Sequence, residues 1–191
     1  MPTPDAEIRP WTVERTEDIQ DCRIFTLQRL SETSPAGKHG EFYILDSPDW
    51  VNVIPITNDG HIVCVEQYRH GSRRVALETP AGMVEAGEAP EVAAARELRE
   101  ETGYSAKSLQ ILGRVYGNPA FMTNHLTILL AEGVTLTDPT EWDDHEEIRV
   151  RLIAVGDIPG ILARGEIENS VSALALTWYL LHSHGLLPAQ G

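Results

Sequence analysis

The sequence predicts a sandwich of the α/β or α+β kind, in which a mixed sheet packs against two or three helices, with a small antiparallel sheet near the N-terminus. Three observations predict it. Short β-rich apolar runs recur between turn signals. Asn58-Asp59-Gly60, between two such runs, is a strong hairpin signal. Two segments, 91–102 and 169–182, carry helix periodicity and helix end signals. Strands mixed with so few helices must bury their apolar faces in packed layers.

In chain order, a strand near 11–15, a strand over 23–30 and a strand over 41–46 form the small sheet, with turns at Ser34-Pro35-Ala36-Gly37 and Lys38-His39-Gly40. Strands over 51–57 and 61–67 flank the hairpin turn, and 61–65 is apolar enough for a central strand. The helix over 91–102 has Pro90 in its first turn and Gly103 at its end. Strands follow over 109–116 and 126–132, then an acidic loop over 137–147 and a strand over 148–155. A short helix covers 157–164, and the helix over 169–182 has Asn169 or Ser170 as its cap. Trp178, Tyr179 and Leu180 on that helix read as core residues. The chain divides at residue 48 into an N-terminal strand unit, 1–48, and a main domain, 49–191.

The 191 residues suit such a domain, and 42% apolar composition provides a core. The net charge of −14 argues against a general nucleic-acid binder, which needs clustered Lys and Arg. No run approaches the roughly 18 apolar residues of a membrane span. The first ten residues carry acids and prolines without an apolar signal core, so the expected location is cytoplasmic. Cys22 and Cys64 fit no metal spacing and read as inert thiols.

The chemistry is concentrated in residues 82–104. On a helix turning about 100° per residue, Glu97, Glu100 and Glu101 share one arc. Like charges so placed repel by a few tenths of a kcal/mol per pair. A hard divalent cation, which prefers carboxylate oxygen, would compensate. Arg96 beside the arc is suited to tie down Glu88 or Glu97, and Gly82 and Gly87 allow a tight loop before the helix. The bland reading, a solvated charged face, is the usual one for a Glu/Arg-rich helix.

The spacing decides between them. Gly82, Glu88 and Arg96-Glu97-Leu98-Arg99-Glu100-Glu101-Thr102-Gly103-Tyr104 match every defined position of the Nudix box, G-x5-E-x7-R-E-U-x-E-E-x-G-U, where U is bulky and apolar. A chance match in a chain of this size is on the order of one in ten million. The chain therefore resembles the Nudix hydrolases. The resemblance implies an α/β/α sandwich with a mixed sheet, and the box as loop–helix–loop. It implies that Glu97, Glu100 and Glu101 hold Mg²⁺ or Mn²⁺, that the Ala81 carbonyl adds a ligand, and that Gly82, Glu88 and Arg96 support the geometry.

Outside the box, Val65-Glu66-Gln67-Tyr68-Arg69-His70-Gly71, Glu78-Thr79-Pro80-Ala81-Gly82, Pro119 and Asn169-Ser170-Val171 resemble the branch of ADP-ribose pyrophosphatases and nucleoside diphosphate sugar hydrolases. That resemblance implies a nucleoside diphosphate substrate contacted by Arg69, Glu78 and Pro119. It implies a homodimer built through the N-terminal strands. It also implies a general base in the acidic loop, at Glu146 or Asp144, with Glu100 a further catalytic candidate. Each has a plain alternative: Pro119 as a turn, Arg69 as a surface residue, Glu78 as a strand-end charge, the acidic loop as solvated surface. Phe42 and Trp50 are candidates for packing or for stacking on a base. Two rival functions remain at this stage, namely another Nudix substrate and a catalytically silent nucleotide-binding module.

Overall fold

The structure is a computed structural model, described for residues 7–142 and 147–187. Its backbone contacts divide the chain into two units. One runs to Pro48 and takes in Tyr116–Asn124; the other comprises Asp49–Val115 and the chain from His125 on.

The first unit is a three-stranded antiparallel sheet of β1 (Thr12–Asp21), β2 (Thr26–Thr33) and β3 (His39–Asp46), with β2 in the centre. β1 is twice the length the sequence suggests, because 17–21 is polar and lacks a strand pattern. It is held by cross-strand pairs instead: Arg29 donates to Glu17 at 2.7 Å and Gln28 to Asp18 at 2.8 Å. No residue of these strands is buried. Trp11 packs edge-on to Phe42 at 5.4 Å, so Phe42 has a packing role here. The segment Tyr116–Asn124 lies along β3, with Leu45 N–H donating to Phe121 O at 2.7 Å. Pro119 sits in a turn closed by Phe121 N–H on Asn118 O at 3.2 Å.

The second unit is an eight-stranded mixed sheet with helices on both faces. Its strands are β4 (Trp50–Thr57), β5 (His61–Arg69), β6 (Arg74–Glu78), β7 (Ala81–Met83), β8 (Tyr104–Ser105), β9 (Ser108–Tyr116), β10 (His125–Leu136) and β11 (Ile148–Ala154). The main path is β11-β5-β4-β10-β8; β6 joins β5, β7 joins β4 and β9 joins β10. β4 and β10 are parallel. The 58–60 turn forms as expected, with Gly60 N–H on Thr57 O and His61 N–H on Thr57 Oγ1.

The helices are α1 (Pro90–Thr102), α2 (Ile158–Ala163) and α3 (Ser170–Ser183). Strand alternation sends Val51, Val53 and Val63 to one face, against Ala93, Ala94 and Leu98 of α1. Ile54, Ile62 and Cys64 go to the other, against Ile158, Ile161, Ala175 and Leu176. That is the sandwich the sequence predicts. Trp50 and Trp178 pack against the second core, and Trp178 lies so close to Gly113 that a Cβ there would be 2.2 Å from its ring. Burial drives the Cys64 thiol up to about 12, which makes it inert. None of the described helices is long and apolar enough to cross a membrane.

Three short strands, β6, β7 and β8, have no signal in the sequence. They are too short for periodicity and exist through pairing with a neighbour already in place.

Candidate active site

The site is built by β7 and α1, joined by a loop. Pro90 opens α1 and Gly103, at φ 75°, closes it with its N–H on Arg99 O at 2.8 Å. The apolar face of α1 (Ala93, Ala94, Leu98) is buried on the sheet, which fixes the rotation of the helix. The carboxylate arc is thereby turned along β7.

Arg96 is the hub of the loop. Its Nε and Nη2 grip both oxygens of Glu88 at 3.1 and 3.0 Å, and Nη2 also donates to Met83 O at 2.9 Å. Nη1 donates to Glu97 at 2.8 Å and to Glu100 at 3.3 Å. Glu88 in turn accepts from Glu85 N–H at 3.0 Å. One guanidinium therefore joins the loop, β7 and the helix. The hydrogen bonds from Arg96, then the one from Glu85 N–H, hold the Glu88 carboxyl below its ordinary value of 4.5 against the opposing effect of burial. A lowered folded-state pKa means stability present above the ordinary value and lost as pH falls through the lowered one. Glu88→Gln is accordingly expected to cost about 2 kcal/mol near neutral pH, with the gap to wild type closing as pH falls below 4.5. Urea unfolding at a series of pH values measures it.

Glu97 and Glu101 both lie against β7. A Cβ on Gly82 would sit 2.0 Å from Glu97 Cδ, so the absence of a side chain there is what admits the carboxylate. Glu101, 6% exposed, accepts from Ala81 N–H at 3.3 Å. Two carboxylates one helical turn apart thus converge on two consecutive backbone units. Among the described residues no group of three His, Cys, Asp or Glu side chains is already arranged to hold a metal ion. The donor set nevertheless fits Mg²⁺ or Mn²⁺, which take few carboxylates and leave positions for water and phosphate. Glu97, Glu101 and Glu100 are side chains that could hold such a cation. Ala81 is placed beside Glu101 through its N–H.

The C-terminal end of α1 is tied by Glu141 and Trp142 of the acidic loop, two residues that the sequence reading did not name. Glu141 N–H donates to Glu100 O at 2.9 Å, and the Trp142 indole N–H to Glu101 O at 3.1 Å. Trp142 also borders an open groove of about 540 Å³ that Gln67, Tyr68 and Arg149 help to line. Arg69 makes a two-pronged bond to Glu78, at 3.0 and 2.7 Å. Glu78 is 1% exposed, whereas 41% of the Arg69 side chain faces solvent. In this structure Glu78 is therefore an anchor for Arg69, and Arg69 is the member of the pair that meets solvent. Pro119 belongs to the first unit. Glu146 and Asp144 lie outside the described residues.

Comparison with known proteins agrees with this geometry. Residues 47–173 match the model of the NUDIX domain. An ADP-ribose pyrophosphatase of Bacillus subtilis is 34% identical over 166 residues, 86% of this chain and 90% of its own. A methanol dehydrogenase activator of Bacillus methanolicus is 36% identical over 133 residues, 70% and 72% of the two chains. A crystal structure of an ADP compounds hydrolase superposes with a TM-score of 0.82 at 21% identity, covering 95% of this chain and 99% of that one, which shows a shared fold. With an unbroken box, a glycine seat for Glu97 and a domain match over most of its length, the chain belongs to the Nudix family.

Proposed function

We propose that this protein hydrolyses the diphosphate bridge of ADP-ribose or a related nucleoside diphosphate sugar, with Mg²⁺ or Mn²⁺, giving a nucleoside monophosphate and a sugar phosphate. The observation that carries the reading is the convergence of Glu97 and Glu101 on the Ala81–Gly82 backbone. The pyrophosphatase named among its relatives supports the substrate class. The complete carboxylate set stands against a silent binding module.

When bound, the divalent cation neutralises phosphate oxygens and lowers the pKa of a water. The chain supplies the rest. Glu97 and Glu101, with Glu100, hold the charge in place, and the α1 anchorage keeps their spacing. Arg69, braced by Glu78, offers a planar guanidinium to the diphosphate. Glu146, or Asp144 in its place, accepts the proton of the attacking water. The products leave with one oxygen from solvent on one of the two phosphates.

The test is turnover of ADP-ribose and a panel of nucleoside diphosphate sugars in ¹⁸O-water, with and without Mg²⁺. AMP and ribose 5-phosphate, formed only with metal, are expected from ADP-ribose. No release from any of these compounds with Mg²⁺ or Mn²⁺ sinks the reading.

The same proposal includes a homodimer in the cytoplasm. Its support is the first unit, where Trp11, Val13, Ile19 and Tyr43 are from 41 to 56% exposed. A sheet with so much apolar surface uncovered suits a second copy of the chain. Sedimentation at twice the 21.1 kDa chain mass is expected.

A further inference from the structure

Between the bond that anchors Arg69 and the backbone that receives the two glutamates lie two buried residues, Pro80 and, before it, Thr79. Thr79 is 1% exposed, and both of its donors are used. Its hydroxyl donates to Asn52 Oδ1 at 2.8 Å, and its N–H donates to Ser172 Oγ at 3.1 Å. Asn52 on β4 is fully buried, and Ser172 in the first turn of α3 is 1% exposed. Ser172 is itself fixed by the helix cap, since Asn169 Oδ1 accepts from the Val171 and Ser172 N–H groups at 2.9 and 3.2 Å. Three elements distant in sequence thus meet at the residue before Pro80.

The reason lies in the proline. Pro80 has no N–H, so the pairing of this segment with β4 loses a donor where the chain enters the site. After it the ladder resumes: Val53 N–H donates to Pro80 O at 2.8 Å, and Ala81 pairs with Asn52. Before it, the Thr79 N–H needs an acceptor elsewhere, and α3 supplies one. The arrangement is not the most stable way to fill that space. Asn52 Nδ2 has no acceptor among the described residues, and a buried polar group with unmet bonding is unfavourable beside an apolar one of the same size. Such groups contribute a defined position.

We propose that Asn52, Thr79 and Ser172 are positioning residues: a buried hydrogen-bond chain from α3 to β4 that sets where the Ala81–Gly82 backbone lies against Glu101 and Glu97, and so sets the site's affinity for its divalent cation. This rests on the metal-dependent reading above. The residues touch neither metal nor substrate, and their effect passes through Ala81 and Gly82.

The experiment uses the full chain and Mn²⁺ as the probe, with free Mn²⁺ read by electron paramagnetic resonance, thermal melting recorded in parallel, and kcat and KM for ADP-ribose. Asn52→Leu combined with Thr79→Val removes both hydrogen-bonding side chains together, and is expected to keep the melting temperature while weakening Mn²⁺ binding about tenfold. Ser172→Ala is expected to weaken it similarly, and Ser172→Thr, which restores the hydroxyl, to recover it. Wild-type Mn²⁺ affinity in both the double variant and Ser172→Ala overturns the positioning role. So does a loss that follows the melting temperature and is not rescued by threonine. A wild-type chain that takes up no Mn²⁺ overturns this proposal, and one that also splits no ADP-ribose with Mg²⁺ or Mn²⁺ overturns the hydrolase reading itself.

Discussion

Glu101→Gln is expected to lower turnover about 10³-fold, equivalent to roughly 4 kcal/mol of transition-state stabilisation, while leaving the melting temperature unchanged. The substitution preserves the shape of the side chain and an oxygen that can accept the Ala81 N–H. Only the charge is removed. Glu101 is 6% exposed, so its carboxylate is held largely out of water, an arrangement that a divalent cation beside it would offset. Losing that charge leaves packing intact and removes the anionic oxygen that, in the proposed function, holds the cation. Steady-state kinetics with ADP-ribose at saturating Mg²⁺, beside a thermal melt, measures both halves. Turnover within twofold of wild type would exclude Glu101 from the chemistry.

The second large effect is expected from Gly82→Ala, the addition of a single methyl group. The new Cβ would stand 2.0 Å from Glu97 Cδ and 2.1 and 2.3 Å from its oxygens. The backbone at Gly82 is fixed by its pairing with Val51, so the glutamate must give way. Its carboxylate then leaves both its seat on β7 and its 2.8 Å bond to Arg96. Because the displaced group is the end of a flexible side chain, the stability cost is modest, about 1–2 kcal/mol. The cost to function is larger, with kcat/KM and Mn²⁺ affinity each expected to fall about 10²-fold. Gly87→Ala is the control. It strains a residue at φ 81° in the same loop but meets nothing within 4 Å, so it is expected to lower stability by about 1 kcal/mol and leave Mn²⁺ affinity unchanged. Equal Mn²⁺ affinity in Gly82→Ala and wild type would show that Glu97 does not bind the ion.

Both predictions concern residues that the sequence exposes directly, because the box is local. A helix places residues three and four apart on one side whatever the rest of the chain does, so Glu97, Glu100 and Glu101 were legible as one arc. Pro90, Gly103, the 58–60 turn and the Asn169 cap are legible for the same reason, since each acts through backbone groups within a few residues of itself. Partnerships across long stretches of chain were not. Sequence reasoning offered Arg69 and Glu78 as two substrate contacts; the structure joins them, one buried and one facing solvent. It offered a strand near 11–15, and the structure continues it to Asp21 through pairs with β2.

The sequence by itself determined the family and the helix that gathers the carboxylates, and it showed Gly82 only as a residue of a tight loop. Only the tertiary structure decided what that helix faces. β7 carries three residues and no periodic signal, and becomes a strand by pairing with β4. Thr79 is pinned by side chains 27 and 93 residues away in the chain. Spacing along a helix is set by the geometry of the backbone, whereas these contacts arise when burying two apolar faces of one sheet brings distant segments together.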